Sequence, residues 1–203
     1  GHNVHVVVSP KDCATCHTVE AEQFQKNIMA QAHGNLRNNS VYQLLVDAIN
    51  ASPPAKNSVP LKDKQASELT DAESCLYCHG TKLTATGLKS RETKLGPMEF
   101  PVISGWPNQG VGRINPDGSK GSCTACHGRH EFSMQMARKP YTCKECHAGP
   151  DVPATKVYEA SKHGTIFSSS NKDWDFSSGK WTVGKDFTAP TCATCHISLL
   201  VNT

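Results

Sequence analysis

The sequence is poor in the side chains that normally build a protein interior. Of its 203 residues only 6% are aromatic and 37% are hydrophobic, whereas glycine contributes 15 residues and proline 12. Turns and loops are therefore expected over much of the chain. A chain with so little apolar material needs another source of stability, such as a disulfide framework, a metal or a cofactor.

Long hydrophobic runs are also missing. No stretch approaches the roughly 18 consecutive apolar residues of a membrane-spanning helix, so no span is predicted. The N-terminal residues have none of the features of an export signal. The formal net charge is only +3.

No cysteine lies outside a pair. The ten cysteines form five C-x-x-C pairs, and a histidine follows each: Cys13-Cys16-His17, Cys75-Cys78-His79, Cys123-Cys126-His127, Cys143-Cys146-His147 and Cys192-Cys195-His196. This pattern is typical of covalent haem attachment, because the two thiols add to the haem vinyl groups and the histidine binds the iron. Zinc ribbons and short disulfides also use C-x-x-C pairs, but neither requires the histidine.

The motif count predicts five covalent c-type haems, which would supply the missing core. Because such haems are attached outside the cytoplasmic membrane, we expect an exported protein, periplasmic or extracellular, with an export signal that is not part of this sequence. Ten haem propionates and five ferric centres would change the net charge to roughly −2. The basic composition is therefore no indication of nucleic-acid binding.

Five histidines lie outside the motifs, which equals the number of predicted haems. We predict that they are the sixth ligands and that the haems are bis-histidine and low-spin: His2, His5, His33, His130 and His163. An isolated histidine in an ordinary protein is more often a surface or hydrogen-bonded residue. The prediction therefore depends on the local context of each one.

Two of these histidines are predicted to end helices. His33 follows a candidate helix at residues 18–32, and His163 follows another at residues 154–162. A glycine comes directly after each histidine, which favours a helix stop in a left-handed conformation. From such an end, each imidazole could reach a neighbouring haem.

His130 lies three residues after His127, and two side chains so close cannot easily bind one iron. We therefore predict that His127 binds its own haem and His130 the next one. His2 and His5 lie at a terminus, where residues are often disordered. Residues 4–8 are predicted as a short strand that orders them.

The chain shows no clear domain boundary, so residues 1–203 are predicted as a single pentahaem domain. The fold class is mostly α with abundant coil, organised around a stacked haem chain.

A helix is predicted at residues 41–49, a surface excursion at 51–70 and a turn-built loop at 96–122. Within that loop, residues 115–118 (NPDG) are a strong turn signal, and Trp106 is predicted to pack against a haem or the loop.

The segment from Gly121 to His196 carries the runs CHGRHEFS, ARKP, GPD and SKHG around its motifs. These runs resemble the central region of the hydroxylamine oxidoreductase family of octahaem cytochromes. CLYCHGT and GWPNQGVGRINPDGS resemble the preceding segment in some members, so the resemblance covers about residues 75–196. It implies that His130 and His163 are distal ligands in a conserved haem stack.

Two departures from that family point away from catalysis. The chain has five motifs rather than eight, and Asp151-Val152 stands where enzymatic members carry an Asp-His pair. Valine cannot act as a general acid or base. The alternative is a reductase or dehydrogenase of small nitrogen or sulfur compounds, with one open haem at Cys75 and Cys78 and with Asp151 and Arg129 nearby.

Shortened relatives of this family include extracellular cytochromes that polymerise into filaments. The resemblance, together with the N-terminal His2 and His5, leads us to predict electron transfer by a subunit of such a filament. Redox proteins or extracellular acceptors are the other expected partners. A monomeric periplasmic shuttle with the same chemistry is a further alternative.

Overall fold

The structure is a computed structural model that describes residues 7–49, 68–150, 152–197 and 201–202. The predicted ligands His2 and His5, most of the predicted strand at residues 4–8 and most of the excursion at 51–70 lie outside these ranges. Within the described part, Val7 and Val8 belong to no strand. Two compact units divide the chain between Ala125 and Cys126. A single pentahaem domain stays a prediction.

The first unit carries short helices, one hairpin and a long loop. Its helices are α1 (Pro10–Ala14), α2 (Thr18–Lys26), α3 (Ala32–Arg37), α4 (Ser40–Ile49), α5 (Glu68–Glu73) and α6 (Cys75–His79). The helix predicted at residues 41–49 is confirmed as α4, which buries Tyr42 and Val46. Helix α7 (Thr124–His127) crosses the boundary between the units.

A two-stranded hairpin follows α6 and was not predicted. Strand β1 (Thr84–Thr93) pairs antiparallel with β2 (Gly96–Ser104), so that Leu88 faces Pro101 and Glu92 faces Pro97. The expectation of a loop at residues 96–104 is therefore wrong. Nearly all of β1 is exposed, because among the described residues no third strand or helix covers the ribbon.

Residues 105–122 form the loop that the sequence predicted, and we call this segment the clamp loop. Its predicted turn is confirmed, because the Gly118 N–H donates to the Asn115 carbonyl at 2.9 Å and Gly118 has a φ of +79°. Glycine is needed there because side-chain-bearing residues rarely adopt a positive φ. Trp106 is 55% exposed in the loop.

The second unit has an aromatic core in place of an aliphatic one. Its helices are α8 (Met134–Arg138), α9 (Pro140–Lys144), α10 (Ala154–Ala160), α11 (Lys162–Ser170) and α12 (Cys192–His196), and β3 (Trp181–Thr182) pairs parallel with β4 (Val201–Asn202). The buried cluster consists of Phe167, Phe176, Trp181 and Phe187, with Tyr158 and Trp174 packed against it. The Trp181 and Phe187 ring centroids are 4.2 Å apart.

Short helices joined by coil dominate both units, so the predicted class of mostly α with abundant coil is confirmed. Among the described residues, no helix is long and apolar enough to cross a membrane.

The helix predicted to end at His33 is broken earlier than expected. Helix α2 ends at Lys26, and the Asn27 side chain accepts a hydrogen bond from the Met29 N–H at 2.8 Å. Such a local side-chain bond competes with the helical pattern. His33 is consequently the second residue of α3, and Gly34 continues that helix instead of stopping one.

His163 repeats this arrangement in the second unit. Helix α10 ends at Ala160, and Ser161 caps the start of α11 by accepting from the Gly164 N–H at 3.2 Å. His163 is again the second residue of a new helix, so its predicted place at a helix end is wrong. A β-carbon on Gly164 would lie 2.1 Å from the Tyr158 carbonyl oxygen, so close packing rather than a left-handed turn requires glycine there.

Candidate haem-binding site

Each C-x-x-C-H motif is built on a short helical turn. Three motifs lie within α6, α7 and α12 or at their ends, and two begin in α1 and α9. In these last two, the histidine N–H closes the turn on the first cysteine carbonyl, His17 on Cys13 at 2.8 Å and His147 on Cys143 at 2.9 Å. Residues three and four apart share one face of a helix, so each turn can present two thiols and an imidazole together.

All ten cysteines lie in the described residues and none forms a disulfide. The five motif histidines are exposed or half-buried, and the Nδ1 atom of the exposed His17 lies 3.9 Å from Glu20 Oε2. These side chains are therefore accessible to a large planar cofactor. The chemistry of the donor set, paired thiols beside an imidazole, fits a haem.

The second unit brings several motif cysteines together. The thiols of Cys143 and Cys192 lie close together, and their interaction lowers the pKa of Cys192 to about 7 and raises that of Cys143. Cys126 and Cys146 lie close enough to raise the Cys143 pKa further. The attachment points of the fourth and fifth motifs are therefore in contact, and one sulfur of the third is nearby.

Arg138, which belongs to the ARKP run, anchors this group of cysteines, and no sequence pattern predicted that role. It is buried, its Nη1 donates to the Phe176 and Ser178 carbonyls at 2.8 and 2.6 Å, and its guanidinium lies 4.9 Å from the Trp181 ring centroid. Its own carbonyl accepts from Thr191 Oγ1 at 2.8 Å. Because Thr191 directly precedes Cys192, this bond fixes the start of the fifth motif.

In the first unit, His33 lies beside the second motif. Helix α3 packs against α6, and His33 Nδ1 is 2.6 Å from the Gly80 carbonyl oxygen. A carbonyl oxygen can only accept, so Nδ1 carries the proton and Nε2 keeps its lone pair for a metal. Metal-binding histidines are commonly oriented by such a bond. The position of His33 therefore fits its predicted ligand role.

The surroundings of α6 also have room for a cofactor. A cavity of about 540 Å³ is lined by residues that include His33, Leu76, Thr81 and Trp106. This volume is within the usual range of about 300–1,000 Å³ for cofactor and small-molecule sites. His79 Nδ1 is buried without a hydrogen-bond partner among the described residues.

The remaining predicted residues are placed but not brought to one centre. His130 lies in a bend beyond Gly128, whose φ is +72°, so it does not share a helix with His127. His130, His163 and Arg129 are exposed on the second unit, and Val152 is 39% exposed. Asp151 lies outside the described residues.

Two family models match separate parts of the chain. One, described as seven times multi-haem cytochrome CxxCH, matches residues 113–201, and one described as cytochrome c554 and c-prime matches residues 12–99. Together they cover regions that contain all five motifs.

Longer proteins are similar to nearly the whole chain. A probable nitrite reductase-hydroxylamine oxidoreductase fusion protein of Kuenenia stuttgartiensis is 28% identical, over 96% of this chain and 26% of its own length. A solved structure of a hypothetical multihaem protein is 45% identical with a TM-score of 0.83, over 98% of this chain and 37% of its own. The chain therefore spans well under half the length of these relatives.

A reducing HAO-like protein complex of Kuenenia stuttgartiensis is 40% identical over 37% of this chain and 15% of its own, with a TM-score of 0.35.

Proposed function

Because the chain is a multihaem c-type cytochrome with hydroxylamine oxidoreductase-like and cytochrome c554-like relatives, we propose that it transfers electrons through five covalent haems. One haem is assigned to each C-x-x-C-H motif. The observation that carries the proposal is the helical turn at every motif, which can place two thiols and an imidazole on one face. Each haem would supply one-electron exchange at its iron, while the protein determines position and potential.

The proposed ligand set is two histidines per iron. The motif histidines are His17, His79, His127, His147 and His196, and the distal histidines are His2, His5, His33, His130 and His163. The bond from His33 to Gly80 supports this assignment, because it leaves Nε2 available. A full set of bis-histidine irons has no open position for a substrate, which favours conduction over catalysis.

The test is the composition and spin state of the purified holoprotein. We expect an intact mass that exceeds the 21.9 kDa chain by five haems. The ferric electron paramagnetic resonance spectrum should contain low-spin signals only, because strong-field imidazoles fill both axial positions. A mass short of five haems would refute the count, and a high-spin signal would refute complete bis-histidine ligation.

The enzymatic alternative is a reductase or dehydrogenase reaction at the haem of Cys75 and Cys78. The cavity of about 540 Å³ beside α6 favours it, because it offers room for a small substrate, and the Arg37–Asp71 ion pair at 3.0 Å lies in its wall. His33 lies in the same wall and favours a filled coordination sphere instead. Cyanide or nitrite binding at one haem of the holoprotein would support the enzyme, whereas no binding would support the electron carrier.

The proposed location is the periplasm or the extracellular space, and the proposed partners are redox proteins or extracellular electron acceptors. We further propose self-association into a filament, with His2 or His5 completing a haem of a neighbouring copy. A head-to-tail contact that does not close on itself produces a helical filament. This part of the proposal depends on the sequence, because both histidines lie outside the described residues.

The H2A/H5A double variant tests self-association. We expect a folded protein with five attached haems, at least one of them now high-spin, and no fibres in electron micrographs. The wild-type protein at the same concentration is the control. Normal assembly by a fully low-spin double variant would show that the two histidines are ordinary surface residues.

A further inference from the structure

The clamp loop, residues 105–122, connects the backbone of two motifs through one residue. The Val111 N–H donates to the Cys78 carbonyl at 3.0 Å, and the Val111 carbonyl accepts from the Ser122 N–H at 2.9 Å. Cys78 belongs to the second motif, and Ser122 directly precedes Cys123 of the third. A shift of the loop would therefore move both attachment points.

The same loop holds the segment that leads into the first motif. Ser9 Oγ donates to Asp117 Oδ2 at 2.6 Å, and Lys11 Nζ donates to the Asp117 carbonyl at 2.8 Å. Burial alone would raise the pKa of Asp117, but hydrogen bonds from Ser119 and Ser9 and the charge of Lys11 lower it overall. The carboxylate is thus charged at neutral pH and can hold the helix that carries Cys13.

Arg113 lies at the centre of these connections and is only 1% exposed. Its guanidinium donates to Asn115 Oδ1 at 2.7 Å, to Asn108 Oδ1, and to the Val8 carbonyl at 2.5 Å. Its carbonyl accepts from the Gly121 N–H at 2.7 Å.

Arg113 also packs against the end of the second motif. A β-carbon on Gly80, directly after His79, would lie only 2.2 Å from the backbone nitrogen of Arg113, so the two backbones are in close contact. One residue thus contacts the segments next to the first two motifs and the segment that leads into the third.

We propose that Arg113 is a positioning residue that fixes the spacing between the haems at the first and second motifs and the first cysteine of the third. The inference rests on the proposed assignment of a haem to each motif. A buried guanidinium is costly unless its donors are bonded, and these acceptors lie on two segments, the N-terminal one at Val8 and the clamp loop. The arginine therefore stabilises only the arrangement in which the N-terminal segment and the clamp loop are both in place.

Lysine cannot replace arginine here, because its single ammonium cannot bond in a planar fork to three separated acceptors. The R113K variant keeps the charge and removes the fork, which makes it the sharpest test. R91K is the matched control, because Arg91 is exposed on β1 and lies 5.6 Å from the Phe100 ring centroid. N108A is a milder second variant that removes one acceptor.

The measurement is the rate at which electrons redistribute among the haems of the holoprotein after flash reduction. With five haems and low-spin spectra verified first, R113K should redistribute electrons roughly 10-fold more slowly or worse, since misplacement of reacting groups by about 1 Å can cost as much as 10²-fold in rate. R91K should match the wild type. If R113K fails to incorporate haem, N108A should show a smaller slowing in the same direction.

Two outcomes would overturn the inference without affecting the proposed function. One is an unchanged rate of electron redistribution in R113K with all five haems attached. If R113K does not incorporate haem, an unchanged rate in N108A counts in the same way. The other is a lower melting temperature with an unchanged rate, which would make Arg113 a stabilising residue only. A wild-type protein without five haems would instead refute the haem assignment itself.

Discussion

The C143A/C146A double variant should lack one haem and should also disturb the haem of a second motif. The Cys143 and Cys192 thiols lie close together, and α9 packs against α12. Removing the haem of the fourth motif therefore takes away a direct neighbour of the fifth. We expect the intact mass to fall by one haem and the low-spin signals of a second haem to shift.

The matched control is C13A/C16A, which removes the first motif in the other unit. It should lose the same mass while the signals assigned to the haems of Cys143 and Cys192 stay unchanged. Equal spectral disturbance in both double variants would contradict the contact between the fourth and fifth motifs.

The W181A variant should destabilise the second unit strongly. Trp181 is fully buried, packs on Phe187 with ring centroids 4.2 Å apart, and supports the Arg138 guanidinium at 4.9 Å. Removing a buried tryptophan typically costs about 3–5 kcal/mol through lost contacts and the cavity left behind. Thermal unfolding of the holoprotein, monitored by near-ultraviolet circular dichroism, would measure the loss of stability.

L95A is the control for that measurement, because Leu95 is 89% exposed in the hairpin turn. Its free energy of unfolding should change by no more than about 0.5 kcal/mol, as is usual for surface positions. A W181A protein as stable as L95A would show that the haems, rather than the aromatic cluster, hold this unit together.

Features that depend on the spacing of residues within a short stretch were predictable from the sequence. The C-x-x-C-H spacing requires a helical turn to bring its three side chains to one face, and the structure has such a turn at every motif. The Asn115–Gly118 turn was predictable for a similar reason, because its last position has a positive φ that glycine adopts readily. The amphipathic pattern of α4 also gave nearly correct bounds.

The hairpin gave no such signal. A strand is detected by alternation between apolar and polar residues, and that alternation arises when one face is buried. Because β1 is exposed on both faces, its sequence has no reason to alternate. Glycine and proline in β2 then favoured the prediction of a loop.

The breaks before His33 and His163 were missed because single side chains cause them. The side chains of Asn27 and Ser161 accept hydrogen bonds from nearby backbone N–H groups. A helix prediction that averages over many residues does not detect the effect of one such bond. Arg113 was missed because its partners, Val8 and Asn108, come from segments whose proximity depends on the tertiary fold.

The hairpin has a consequence for how copies of this protein can meet. An open strand edge invites another chain to add to it, and proline blocks this because it has no N–H to donate. Pro97 and Pro101 are four residues apart on β2, so both remove donors from the same edge of the strand. Charged Lys89, Arg91 and Glu92 interrupt the exposed surface of β1. The ribbon can therefore project into solvent without acting as a template for aggregation, and its tip at Lys94 and Leu95 is a suitable place to attach a label far from any cysteine in the sequence.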